Sequence, residues 1–242
     1  MNWYTAMATL IVDIETVGED FDELDEMTQE VLTRWIRRES PHEGEYQTAL
    51  RDLKEGLGFS PLTGEIVAIG VLDADRDRGA VYYQAPGSEE KTFEEDRFKY
   101  EALSEANMLG KFWDVAEKYD TFVTFNGRSF DAPFLMIRSA VHGIRPTKNL
   151  VSNRYLNYQP TDAKHVDLLE QLSFYGALRR KGSLHLWTRA FGIESPKTSG
   201  VSGDDVSGLF ASGKYEDIAR YNARDLDATL ALYLKYREYL AF

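Results

Sequence analysis

Residues 8–14 (ATLIVDI) form a short, apolar, β-branched run of the kind that fills a buried strand, yet the run carries Asp13 and is followed at once by Glu15. Side chains alternate across a strand, so these two acids share one face. Two neighbouring carboxylates repel each other and raise each other's pKa unless a cation sits between them. Burial adds a desolvation cost that again favours a cation. The chain must therefore fold so that a sheet strand delivers a carboxylate pair to a charged site. All-oxygen clusters are the habitual ligands of hard divalent metals such as Mg²⁺. An Asp-x-Glu triplet alone arises about 1.6 times by chance in a chain of this composition, so the pair needs companions.

The rest of the chain reads as an α/β arrangement. The segments 65–73 (EIVAIGVLD) and 80–85 (AVYYQA) resemble the first strand and predict a meander. Between strands one and two lie about fifty residues, too many for an ordinary loop. Helical spacing runs through Leu24, Met27, Val31, Leu32 and Trp35, and a second helix is expected over 46–57, so residues 19–60 read as a helical insertion. A helical pattern is expected from Glu94 to Tyr119, then a strand at 121–125 and a helix from Asp131 to about His142 with Pro133 in its first turn. A brief strand or strand-to-helix junction at 164–169, a helix at 183–191, a Gly/Ser-rich connection at 195–208 and a last helix from Lys214 to Tyr239 complete the order. Strands mixed with helices in this order imply a sheet layered with helices in one domain spanning 1–242.

Composition narrows the function classes. The chain of 242 residues has no cysteine, which excludes disulfides and thiolate metal sites. It has no long apolar run to span a membrane and no leader pattern at its start, so no membrane partner and a cytoplasmic location are expected. The net charge of −12 disfavours phosphate binding until its distribution is seen. Residues 13–30 hold nine acids and no Lys or Arg, whereas residues 138–197 hold ten Lys or Arg against four acids. Such asymmetry lets one face meet phosphates while the rest stays acidic. Arg179, Arg180 and Lys181 form a candidate backbone-tracking patch, or a solvated charge run.

Two further segments supply acids on suitable elements. In TFNGRSFDAPF, Asp131 follows a strand and a tight turn and opens a helix, where the dipole favours a negative charge. By itself that is N-capping. The full Asn-x-x-x-Phe-Asp pattern, however, is expected only about 0.03 times by chance. In ARYNARDLD, Tyr221 and Asp225 stand four apart on a helix and so share a face. His165 and Asp167 also invite a metal reading, but a single His-x-Asp at a strand end is more often structural.

Taken together, Asp13-Ile-Glu15-Thr16, Asn126 to Asp131, and Tyr221 to Asp225 resemble the three motifs of the Asp-Glu-Asp-Asp (DEDD) 3′–5′ exonuclease superfamily, in order, separation and element type. The likeness is to its tyrosine branch, and within that to the proofreading exonuclease domain of family B DNA polymerases. It covers residues 8 to about 235, with no counterpart for 19–60. The histidine branch would place His five residues before the last Asp, where this chain has Arg220.

The resemblance implies a ribonuclease H-like fold, a mixed sheet with helices on both sides. It implies that Asp13, Glu15, Asp131 and Asp225 hold two divalent ions, Mg²⁺ or Mn²⁺, and that Tyr221 orients the attacking water. It also makes Thr16, Asn126, Phe130 and Lys197 candidates for contact with substrate, the 3′ end of a single-stranded nucleic acid, with DNA favoured. A polymerase or repair partner is expected to be compatible with such an enzyme. Two other readings stay open on sequence: a nucleic-acid-binding or scaffolding module with little activity, and an exoribonuclease.

Overall fold

The computed structural model describes residues 8–40, 42–87, 91–193 and 203–241. Its centre is a seven-stranded mixed sheet built from β1 (Thr9–Gly18), β2 (Gly64–Asp73), β3 (Arg78–Tyr83), β4 (Thr92–Glu95), β5 (Phe98–Ala102), β6 (Thr121–Thr124) and β7 (Lys164–Asp167). The strand order is β4-β5-β3-β2-β1-β6-β7. β1, β2 and β3 form an antiparallel meander, whereas β6 runs parallel to β1, β7 parallel to β6, and β5 parallel to β3. β1 therefore lies inside the sheet, hydrogen-bonded on both sides, as its β-branched composition demands.

Alternation along β1 decides what each face carries. Leu10, Val12 and Ile14 pack with Phe112, Trp113, Phe134 and Leu135, on the side covered by α3 (Glu105–Ala116) and α4 (Asp131–Val141). Ile11 and Val17 turn the other way and pack with Leu226, Leu230 and Leu232 of α8 (Tyr215–Tyr239). The same alternation sends Asp13 to the α8 side. Burying an aliphatic side chain on each face stabilises the strand by roughly 1.5–3 kcal/mol per residue, which offsets the two acids it carries.

The insertion after β1 folds as two helices, α1 (Glu26–Glu39) and α2 (Glu43–Gly56), followed by a 3-10 turn at Leu57–Phe59. Asp25 caps α1 by accepting from the N–H groups of Met27 and Thr28. Met27, Val31 and Trp35 form an exposed stripe, while Thr33 and Ile36 are the buried residues of α1.

One expectation is corrected. Residues 94–102 are not helical, because β4 and β5 pair there as a hairpin and α3 begins only at Glu105, behind the Ser104 cap. β5 is hydrogen-bonded to β3 on one side and β4 on the other, with Phe98, Tyr100 and Ala102 buried and Lys99 exposed, and this pairing overrides the local helical pattern. Shorter helices α5 (Leu168–Leu172), α6 (Leu184–Ala190) and α7 (Val206–Ala211) lie between β7 and α8. Among the described residues no helix is long and apolar enough to cross a membrane.

Candidate active site

β1 brings Asp13 and Glu15 to the face on which α8 packs, and α8 answers with Asp225. One ligand oxygen from each of these three carboxylates lies within 4.8 Å of the others, the one group of potential metal ligands of this size among the described residues. The sheet is irregular at this point. The β1–β2 register shifts between Glu15 and Thr16, a bulge of the sort that re-aims side chains beside functional sites.

Asp131 arrives from the opposite layer. β6 ends at Thr124, the chain turns through Asn126 with a left-handed backbone (φ 66°), and Asp131 opens α4. Its Oδ1 accepts the N–H of Ile14 at 3.1 Å, which ties the first turn of α4 to the strand between the two acids. The turn is itself held by Asp167, whose carboxylate accepts from the N–H groups of Asn126 (2.9 Å) and Arg128 (3.0 Å) while capping α5 through Leu169. His165 is 2% exposed, contacts the carbonyl of Leu150 through Nδ1 and Thr124 Oγ1 through Nε2, both at 2.8 Å, and burial pushes its pKa down to about 4. The imidazole is therefore neutral and structural, and Asp167 shapes the loop that aims Asp131.

The electrostatics are those of a site short of positive charge. Burial, and then the charges of Asp131, Asp225 and Glu15, hold the Asp13 carboxyl well above the usual range. Glu15 is raised by burial and by Asp225 and Asp131. Asp131 is pushed up to about 7, by burial first, although the Ile14 N–H pulls the other way. Among the described residues none of Asp13, Glu15 and Asp131 forms an ion pair. Carboxylate oxygens that converge from Asp13, Glu15 and Asp225 fit a divalent hard metal.

Tyr221 is 5% exposed, one turn before Asp225 on the same side of α8. Burial and the charges of Asp225, Glu15 and Asp13 raise its pKa far beyond that of a free phenol. Arg220 is engaged by Glu95 and Glu216 instead of the carboxylates.

The remaining candidates separate. Thr16 Oγ1 donates to the Gly58 carbonyl at 2.7 Å, so its hydroxyl fastens the insertion back onto β1. Asn126 gives backbone geometry to the turn. Phe130 is half-buried, 5.1 Å from the ring of Phe134 and 6.4 Å from that of Phe59. Lys197 lies outside the described residues.

Three contributors escaped the sequence reading. Asn222 is fully buried and its Nδ2 donates to Asp13 Oδ2 at 2.8 Å. Gly70 stands directly across from Asp13 in β2, and a Cβ there would overlap the Asn222 amide and Leu226. The signal was present as a lone glycine inside a strand run, which marks a close approach by another group. Phe59, 70% exposed at the end of the insertion, had no signal because its position depends on how the insertion returns to β1.

This geometry has relatives. Residues 63–241 match the family described as "Predicted 3′-5′ exonuclease related to the exonuclease domain of PolB". DNA polymerase 1 of Saccharolobus solfataricus is 22% identical over 236 residues, 91% of this chain and 26% of the polymerase. An uncharacterized protein of Methanocaldococcus jannaschii is 29% identical over 189 residues, 74% of this chain and 89% of its own length. The family B DNA polymerase of the archaeon Pyrobaculum calidifontis superposes with a TM-score of 0.57 at 16% identity, over 98% of this chain and 25% of that one. The chain thus spans about a quarter of the length of these polymerases, and its sheet and helices take their exonuclease domain's ribonuclease H-like arrangement. By the match over 63–241, which includes Asp131, Tyr221 and Asp225, the chain belongs to the family of predicted 3′–5′ exonucleases related to the exonuclease domain of PolB.

Proposed function

We propose that the protein is a metal-dependent 3′–5′ exonuclease that hydrolyses the terminal phosphodiester of single-stranded nucleic acid, DNA in preference to RNA. The observation that carries this reading is the convergence of Asp13, Glu15 and Asp225 within 4.8 Å, with Asp131 hydrogen-bonded to the strand between the first two. Asp13, Glu15, Asp131 and Asp225 would hold two Mg²⁺ or Mn²⁺ ions. Bound there, the ions acidify the attacking water and offset charge on the leaving oxygen.

The chain's own groups do the rest. Asn222 fixes the rotamer of Asp13 through its 2.8 Å hydrogen bond. Asp131 is set by Ile14, and its loop by Asp167. Tyr221, kept protonated by its acidic surroundings, orients the water by hydrogen bonding and does not remove its proton. Phe130, next to Asp131, and Phe59, 6.4 Å from its ring, would offer faces to the terminal base. Water oxygen bonds to phosphorus, the bond to the penultimate nucleotide's 3′-oxygen breaks, that oxygen takes up a proton, and a nucleoside 5′-monophosphate is released.

The test uses 5′-labelled single-stranded DNA and an RNA of matched sequence, with Mg²⁺, Mn²⁺ or EDTA, beside Asp13→Ala. A metal-dependent ladder shortening from the 3′ end, absent in the variant and faster for DNA, is expected. Failure to cleave either strand, with the fold intact and metal binding demonstrated, would overturn the nuclease reading.

A further inference from the structure

Away from the carboxylates, the described residues include a second feature rich in chemistry, an aromatic groove of about 380 Å³ between the segment before β7, the turn after α5 and the C-terminal part of α8. Tyr155 (48% exposed), Tyr158 (76%) and Phe174 (57%) present open rings. Tyr155 and Tyr175 lie 4.9 Å apart, and the Arg154 guanidinium sits 5.8 Å over Tyr175. Buried aromatics need no explanation, but several exposed ones on one concave surface do.

The backbone beneath them is unusual. Phe174 and Tyr175 are both left-handed, at φ 50° and 55°, followed by Gly176 at φ 100°. Two successive aromatic residues in this region are strained, and such strain concentrates at binding sites. The surroundings enforce it. Gln171 Nε2 donates to the Tyr175 hydroxyl at 2.9 Å, the Tyr236 hydroxyl donates to Gln171 Oε1 at 3.1 Å, and Arg154 Nη2 donates to the Tyr175 carbonyl at 3.1 Å. Glu170 pairs with Arg154 and Lys181, and Arg179 and Arg180 are exposed shortly after the turn that holds Phe174 and Tyr175.

We propose that this groove is a second contact for a single-stranded nucleic acid, binding its bases by stacking and its phosphates by the basic rim, upstream of the end held at the carboxylates. Charge favours this occupant. Residues 145–181 carry seven Lys or Arg against three Asp or Glu in a protein of net charge −12. Aromatic faces alternating with cations are the means by which single strands are held without sequence preference.

Position favours it too. Tyr236 stands eleven residues after Asp225 on α8. Along the helix that is about 16 Å, the length of about five stacked nucleotides, and since Leu226, Thr229, Leu232 and Tyr233 between them are buried, a strand reaching both sites passes over the outer surface. Tyr236 and Leu156 belong to the core on the α8 side of the sheet, the side on which Asp13 lies.

The inference rests on the nuclease reading for the direction of the strand, and its test separates the two. Affinity for oligo-dT of four and of twelve nucleotides is measured in EDTA by competition, and hydrolysis of a thymidine dinucleotide is measured with Mn²⁺. The proteins are wild type, Tyr158→Ala/Phe174→Ala and Arg179→Glu/Arg180→Glu. All four changed side chains are exposed, so the fold is retained. Each variant is expected to bind the twelve-mer about ten-fold more weakly while the four-mer affinity and dinucleotide hydrolysis stay at wild-type values. Unchanged twelve-mer affinity in the aromatic variant, or no twelve-mer binding by wild type, would overturn the proposal and leave the groove to a protein partner. Absent hydrolysis of the dinucleotide and of longer single strands alike, with the ten-fold loss preserved, would overturn the nuclease reading alone and support the groove.

Discussion

Tyr221 illustrates how surroundings settle a side chain's role. A phenol buried against Asp225, Glu15 and Asp13 is raised above the ordinary tyrosine range, which favours a positioning role over proton abstraction. Tyr221→Phe is expected to slow hydrolysis about 100-fold by freeing the water it orients, with the pH–rate profile keeping its shape. A profile that loses its alkaline limb in the variant would restore the phenol as a titrating base. Gly70 gives the second prediction at this scale. An added Cβ would press on the Asn222 amide, which holds Asp13, so Gly70→Ala should cost about 1–3 kcal/mol and lower activity together. Combining it with Asn222→Ala should recover part of the melting temperature without recovering activity, the signature of coupled neighbours. These residues also show where sequence legibility ends. Asp13, Glu15, Asp131, Tyr221 and Asp225 could be picked out through the resemblance of three motifs taken together, since the spacing of an acid pair alone arises by chance, and the fold brings Asp13, Glu15 and Asp225 within 4.8 Å. Asn222 could not, because an asparagine on a helix shows its purpose only when a strand glycine 152 positions away makes room for it.

Among elements, Glu105 is the joint between layers. From the first turn of α3 its carboxylate accepts from the Ile66 N–H of β2 (2.8 Å) and from Arg138 of α4 (2.9 and 2.7 Å), and meets His142 Nε2 at 2.6 Å. Burial alone would raise its pKa, but Arg138, the Ile66 N–H and His142 together hold it below the usual 4.5. The depressed value means that the carboxylate's contribution is complete above about pH 4.5 and is lost as pH falls through the folded-state pKa. Glu105→Gln, which leaves half-buried Arg138 without its counter-charge, should cost about 1–3 kcal/mol at pH 7. The gap between the two melting temperatures should close as the pH is lowered toward 3; a gap that stays constant would mean that the ion pair contributes nothing. Elements also differ in how openly the sequence declares them. The core strands β1 and β2 were legible as continuous apolar runs buried on both faces, and α8 as one long uninterrupted segment. The β4–β5 hairpin was hidden since strands of four and five residues carry too few alternations to outweigh a helical reading of their flanks. The stripe Met27–Val31–Trp35 has helical spacing, as read, but faces outward because α1 rests on the rest of the protein through Thr33 and Ile36 instead.

At the scale of the whole molecule, the site sets a tension that a cation would resolve. β1 must be buried for the sheet to form, and burying it gathers Asp13 and Glu15 against Asp225 and Asp131 from two other elements. Without a cation this gathering opposes folding, since desolvation and mutual repulsion act on the native state and vanish on unfolding. A divalent ion bound only by the native state stabilises it by mass action, by about 2.7 kcal/mol at a hundred times its dissociation constant. For a chain of this size that corresponds to a rise in melting temperature of about 5–10 °C. Mn²⁺ should therefore raise the melting temperature of the wild type, and Ca²⁺ should do the same without supporting hydrolysis if the inactive ion enters the same ligands. Asp13→Asn should melt higher than wild type in EDTA, because one of the crowded charges is gone, and should lose most of the response to Mn²⁺. An Asp13→Asn protein that melts lower in EDTA, or that keeps the full Mn²⁺ shift, would place the cation elsewhere and remove the physical reason for the carboxylates to meet.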